Sequence, residues 1–404
     1  MKSTVATTAL AVSLACTGIA AAQDKNVKIG VMTDMAGLYS DISGINSVLA
    51  VTMAVEDSGL REKGWKIDII SGDHQNKPDV ATSLARQWAD VENVDLYADV
   101  VTSSTALAVM PVAVDKNRVH LNSGAASSAL SGKSCNPNTI HWTYDTYALA
   151  NRTGKGVTKA GGDSWFFLTA DYAFGAALEA DTMAVVKANG GKVLGAIKHP
   201  LNTADFSSFL LQAQSSKAKI VGLANAGGDT TNAVKQAAEF GIVQGGQKLA
   251  SLLLFINDVH SLGLKVANGL QMTETFYWDL NDDTRAFSKR FSARSKNNAM
   301  PSMVQAGDYS ATTHYLKALV ALGGNPHDGA KVIAKMKEMP TEDPIFGKGS
   351  VRADGRKIHP AYLFEVKKPE ESKGPWDYYK LVSTIPADEA FRPLAESECP
   401  LVKK

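Results

Sequence analysis

Short runs of β-branched and aromatic residues alternate along this chain with longer stretches whose apolar positions recur every three or four residues. These two periods predict strands and helices in turn. Residues 27–32 form the first expected strand, which empties into a loop over 33–40. Residues 44–58 follow at helical spacing, with Ile45, Leu49, Met53 and Val55 on one side. A second strand is expected over 65–70, and Pro78, suited to a first helical turn, opens a helix ending near residue 91. A third strand spans 96–101, a helix 105–114 and a fourth strand 118–121. The beat restarts after Gly161-Gly162. Strand 165–168 is apolar without alternation, as in a strand buried on both faces, and helix 174–188 is closed by Gly190-Gly191. Strand 192–197, helix 206–214, strand 220–224, helix 230–240 and strand 249–255 complete this second series. Residues 283–339 turn mainly helical, and short strands follow near 362–366 and 378–381.

Such alternation predicts parallel sheets covered by helices, and two successive series predict two lobes of this kind. The expected fold class is therefore α/β, with two Rossmann-like lobes. The chain's 404 residues exceed what a single core usually organises. At the N-terminus, Met1-Lys2, an uncharged stretch over 4–15 and the small residues Ala20-Ala21-Ala22 form the tripartite pattern of a secretory signal cleaved after Ala22. Lipidation at Cys16 and a buried N-terminal helix are the alternatives. No later segment approaches the run of about 20 apolar residues that a membrane span needs. Removal of Lys2 leaves 41 basic against 41 acidic residues, so nothing in the charge invites nucleic acid or an anionic bilayer. In an exported protein, Cys135 and Cys399 are an even pair suited to one long-range disulfide, with two buried free thiols as the alternative.

Catalytic constellations are missing. No Gly-x-Ser-x-Gly or His-Glu-x-x-His occurs, and the eight histidines are scattered singly, so neither catalytic residues nor metal ligands nor a cofactor are expected. Gly132-Lys133-Ser134 resembles the end of a phosphate loop, but Ser127 stands where its first glycine is required. Gly227-Gly228 after a strand suggests a dinucleotide turn only faintly, because no Gly-x-Gly-x-x-Gly is present. The strand ends are more informative. Thr102, Ser103, Ser104 and Thr105 place four hydroxyls in a row where a helix begins, within reach of backbone N–H groups and a helix dipole that attract a carboxylate. An ordinary N-cap needs only one of them. The next strand end, Asn122 to Ser127, is again small and polar. In open α/β sheets, ligands sit beyond such carboxyl ends.

Lys28-Ile29-Gly30-Val31, Thr102 to Thr105, Ser123-Gly124-Ala125, Asp171 to Gly175, Asp205-Phe206-Ser207 and Ala224 to Gly227 together resemble, in order, the leucine/isoleucine/valine-binding type of periplasmic solute-binding protein. The resemblance implies a periplasmic, monomeric subunit of an ABC transporter that closes two lobes on a small carboxylate-bearing solute and then docks on the membrane permease. Lobe 1 would hold 23–143 and 275–358, lobe 2 would hold 144–274 and 359–388, and a tail over 389–404 would return to lobe 1. By matching position, Thr102, Ser103 and Ser104 with the Gly124, Ala125 and Ala126 backbone would hold the carboxylate. Tyr172 or Phe174 and the Asn225-Ala226 loop would close over it, with Tyr39, Tyr144 and Asp145 as further contacts. The family's ammonium-holding acid has no clear counterpart in Phe255-Ile256-Asn257-Asp258-Val259, although Asp258 could serve. Ala126 also stands where a threonine is usual. An aromatic or other organic acid therefore competes with a branched-chain amino acid as the ligand. A periplasmic sensor subunit and, more remotely, a secreted hydrolase are the competing functions.

Overall fold

The structure is a computed structural model that describes residues 24–403; the leader, Ala22 and Cys16 lie outside the described residues. Two parallel sheets organise it. The first comprises β1 (Asn26–Thr33), β2 (Lys66–Asp73), β3 (Leu96–Asp99), β4 (Val119–Asn122) and β5 (Thr139–His141), in the order β2-β1-β3-β4-β5. The second comprises β6 (Ser164–Ala170), β7 (Lys192–His199), β8 (Ile220–Ala224) and β9 (Lys248–Ser251), in the order β7-β6-β8-β9. The expected pair of α/β lobes is thus present. Burial follows position in the sheet: all five residues of central β8 are buried, whereas edge strand β7 alternates between exposed and half-buried.

After β10 (Gln271–Glu274), the helices Asp282–Ser292, Met303–Leu322 and Gly329–Glu338 complete the helical cover of the first lobe. A small antiparallel sheet of β11 (Thr341–Asp343), β12 (Gly347–Val351) and β13 (Lys357–Ile358) follows. β14 (Ala361–Val366) then pairs with β10 and β15 (Tyr379–Ile385) with β14, and both pack into the second lobe's core. No helix among the described residues is long and apolar enough to cross a membrane.

Three expectations are corrected. The third strand stops at Asp99, because left-handed backbone at Asp99 and Val100 (φ 72° and 50°) turns the chain out of the ladder after Asp99. The ninth strand stops at Ser251; beyond it Leu253 and Phe255 reach the cavity and Leu254 packs into the second lobe's core, so their apolar run reflects core packing. In the helix Gly44–Asp57, Met53 and Val55 are buried as expected, but Ile45 is exposed, and Ser47, Ala50, Val51 and Ala54 complete the inward face. That face lies against the helix Met303–Leu322, where small side chains let two helices approach.

The chain passes between lobes near Trp142–Thr146 and again after β13, and a buried arginine binds these crossovers together. The Arg356 guanidinium donates to the carbonyls of Trp142 (2.9 Å) and Tyr144 (3.0 Å), and its Nε donates to that of Lys357 (3.1 Å). Cys135 and Cys399 form a disulfide that ties the C-terminal tail to the first lobe across 264 positions. Replacing both cysteines with serine is expected to lower the unfolding free energy by about 2–4 kcal/mol, because a long closed loop restricts the unfolded chain. Urea denaturation checks this, and an unchanged midpoint would show that the tether carries no stability.

Candidate ligand-binding cleft

The carboxyl ends of the two parallel sheets face each other across a small, nearly closed cavity. Each wall is built by local hydrogen bonding. The Asp34 carboxylate, just past β1, accepts from the backbone N–H groups of Gly37 (2.7 Å) and Tyr39 (2.9 Å) and from the Asn76 amide (2.6 Å). This folds the first loop and delivers Tyr39 into the cleft. Its hydroxyl meets the Tyr172 hydroxyl of the second lobe at 2.7 Å. Burial pushes both phenols well above their ordinary pKa, so both stay neutral and one donates to the other.

The helix Ser103–Asp115 begins at the end of β3 with no side chain capping its first turn. Its leading N–H groups and dipole are therefore open to an anion. The Ser103 hydroxyl accepts from Ser127 N–H (3.0 Å) and so joins the ends of β3 and β4. Gly124 is required between them: a Cβ there would lie 2.6 Å from an Asp99 carboxylate oxygen and 2.7 Å from Val101 Cα. The Tyr144 hydroxyl donates to the Gly124 carbonyl (2.7 Å) and fixes that ring in the wall. Across the cleft, the helix Ala173–Ala188 starts at Tyr172 and carries Phe174 in its first turn. Gly175 alone fits the entry, since a Cβ would lie 2.0 Å from the Ala170 carbonyl oxygen.

Of the residues singled out from the sequence, Tyr39, Ser103, Gly124, Ala126, Tyr144, Tyr172, Phe174 and Ala226 line the cavity. The others sit behind it or beside it. The Thr102 hydroxyl is turned to that of Thr105 (2.6 Å), and Ser104 is half-buried outside the lining. The Ala125 carbonyl meets His141 Nε2 (2.8 Å). Asp145 caps the helical turn Thr146–Leu149 and faces Arg356 at 3.7 Å. Asn225 is held by Thr230, whose hydroxyl donates to its amide oxygen (2.7 Å). Asp258 accepts from Phe255 N–H (2.9 Å) as a helix cap, and burial pushes its pKa up to about 7. The lining residues that sequence reasoning missed are Ile42, Val101, Leu253 and Phe255. All are apolar, and nothing in an apolar side chain marks it as cavity wall rather than core. The lining contains no carboxylate, and among the described residues no cluster of three metal-ligating side chains is placed to hold a metal ion.

Beneath Gly124, Asp99 is buried near Asp308, and among the described residues no Lys, Arg or His nitrogen forms an ion pair with either. Burial pushes Asp99 up to about 7, with a further push from Asp34, and burial together with the Asp99 charge pushes Asp308 well above the carboxylate range. A protonated Asp99 stabilises the fold fully below its unfolded value near 3.8, and this contribution is lost as pH rises through about 7. An Asp99→Asn variant is accordingly expected to gain melting temperature relative to the parent as pH rises from about 4 to about 8. Thermal denaturation across that range tests it, and a pH-independent difference would refute the assignment.

A model of the family described as periplasmic binding protein matches residues 26–374. The chain is 53% identical to a periplasmic binding protein from Burkholderia mallei, with TM-score 0.90 over 94% of this chain and 100% of that one. It is 39% identical to a branched chain amino acid ABC transporter periplasmic ligand-binding protein from Burkholderia xenovorans LB400, with TM-score 0.81 over 93% and 99% of the two chains. A Leu/Ile/Val-binding protein homolog 6 from Brucella abortus (strain 2308) is 27% identical over 91% of this chain and 94% of its own length. At the level of fold alone, a solute-binding protein from R. palustris in complex with 4-hydroxybenzoate is similar, at 22% identity and TM-score 0.81 over 91% and 98% of the two chains.

Proposed function

Because the chain belongs to the periplasmic binding protein family, we propose that it captures a small aromatic or other organic carboxylate between its lobes for delivery to an ABC permease. The observation that carries the choice of solute is the make-up of the cavity. An uncapped helix N-terminus at Ser103 and the backbone around Gly124 and Ala126 offer donors on one side. The rings of Tyr39, Tyr144, Tyr172, Phe174 and Phe255 surround the rest. A carboxylate is thereby matched to N–H groups and its apolar body to ring faces. An α-amino acid would also bring an ammonium, and no acid lines the cavity to receive it. Burying that charge unpaired is costly.

The same reading places the protein in the periplasm after cleavage following Ala22, as a monomer whose closed form docks on the permease's transmembrane subunits. The lobe boundaries drawn from the sequence belong to this proposal, as does carriage of the solute without chemical change. The mechanism is hinge closure: solute enters the open cleft, bridges both walls, and shifts the population toward the closed state.

A thermal-shift screen of the mature protein against aromatic acids, short organic acids, amides and amino acids tests the proposal. A true ligand at a hundred-fold excess over its dissociation constant should stabilise by about 2.7 kcal/mol. Aromatic or organic acids are the expected hits, and Ser103→Ala should weaken them by about 1 kcal/mol, the scale of one hydrogen bond. A response confined to amino acids would overturn the choice of solute, and no response to any small molecule would overturn the function.

A further inference from the structure

The glycine pair dismissed as a dinucleotide turn lies at the interface between the lobes. Gly227 takes a left-handed backbone (φ +58°), and a Cβ on it would stand 2.9 Å from the Leu38 carbonyl oxygen and 3.1 Å from the Tyr39 ring. A Cβ on Gly228 would stand 2.8 Å from Leu38 Cδ1. Leu38 belongs to the first loop of lobe 1, and Gly228 opens the helix Gly228–Glu239 of lobe 2. Neither residue lines the cavity.

From this contact we infer that Gly228 is the seat on which Leu38 comes to rest when the cleft closes. The missing side chain at Gly228 is a positioning feature that sets solute affinity without touching solute. This rests on the capture reading given above. Both surfaces are braced for the role. Leu38 is strung between Gly37 and Tyr39, whose N–H groups are both held by Asp34. On the other side, the Asp229 carboxylate accepts from the N–H groups of Asn202 (3.2 Å) and Thr203 (2.8 Å), and Thr230 is bonded to Asn225. Two loops fixed on either side of the contact cannot yield far. The seat adjoins the Tyr39–Tyr172 hydroxyl pair, so a side chain inserted at Gly228 would part those hydroxyls as well. Bound solute is held only as long as the closed state is populated, so a wedge in the seat lowers apparent affinity by lowering the closed fraction.

Gly228 is the better probe of the two glycines. It has no left-handed backbone and sits in the first turn of its helix, where a larger residue brings no backbone strain, whereas Gly227 would be strained by any side chain. The test is a volume swap across the cleft, using a solute identified by the thermal-shift screen. Gly228→Leu alone is expected to raise the dissociation constant about ten-fold or more, mostly through faster dissociation, with an unchanged ligand-free melting temperature. It should also enlarge the radius of gyration measured by X-ray scattering at saturating solute. Leu38→Ala alone should stay within about three-fold of the parent, and Gly228→Leu combined with Leu38→Ala should return to that range, because the two sites share one contact. Parent-like binding by Gly228→Leu would overturn the seat, and so would a loss of affinity that Leu38→Ala fails to relieve. A parent protein that binds no solute overturns the capture reading itself.

Discussion

One buried cation holds the two-lobed arrangement together. Arg356 is almost wholly removed from water, and such a guanidinium is tolerable only if its donors are used and a counter-charge is near. It meets the condition with the Trp142, Tyr144 and Lys357 carbonyls, with Asp145 at 3.7 Å and with the Phe391 ring at 4.2 Å. These partners come from two segments that join the sheets and from the C-terminal tail. The arginine therefore ties those segments to one another. The order passes directly to the cavity: the Tyr144 carbonyl is held by Arg356 while its hydroxyl holds Gly124. Removing the guanidinium would leave those carbonyls unpaired and Asp145 without its counter-charge, so the pieces are interdependent and not simply additive.

The cleft applies the same economy of polar groups. Its walls expose few donors, and nearly every polar side chain at its edge is engaged by its own lobe: Asp34 with the first loop, Asn225 with Thr230, Asp258 with Phe255. What is left for a solute is a helix N-terminus on one side and aromatic faces on the other. Water excluded from so small a space strengthens whatever electrostatic contact remains.

The fold was legible because its physics is local. Strands such as Trp165–Leu168, buried on both faces, are continuous apolar runs, and the restart after Gly161-Gly162 announces a second lobe. Ser103, Gly124 and Ala126 were legible as cleft residues because small hydroxyl-bearing strand ends are chemically unusual. Other features depend on contacts between distant segments and leave no local pattern. Ile42, Leu253 and Phe255 look like core residues in sequence and become cavity wall only through the meeting of the lobes. The pairing of Asp99 with Asp308 requires the helix Met303–Leu322 to cross the end of β3. Gly227-Gly228 was noticed and set aside as a dinucleotide turn, but its contact with Leu38 was not legible, since Leu38 is about 190 positions away, a separation that no periodicity reports.

Selectivity in this cavity has to come from rejection as much as attraction. An apolar pocket discriminates weakly between bodies that differ by a methylene or two, whereas an unmatched buried charge is excluded strongly. Asp258 is an acid near the second wall that could have matched an ammonium, and its carboxylate already serves the Phe255 N–H while burial favours its neutral form. Recruiting it would break a helix cap and ionise a group that its surroundings keep protonated. Both costs fall on an amino acid and neither on a simple carboxylic acid. On the proposed capture of an organic acid, the arrangement that builds the second wall would also be the one that disfavours an ammonium.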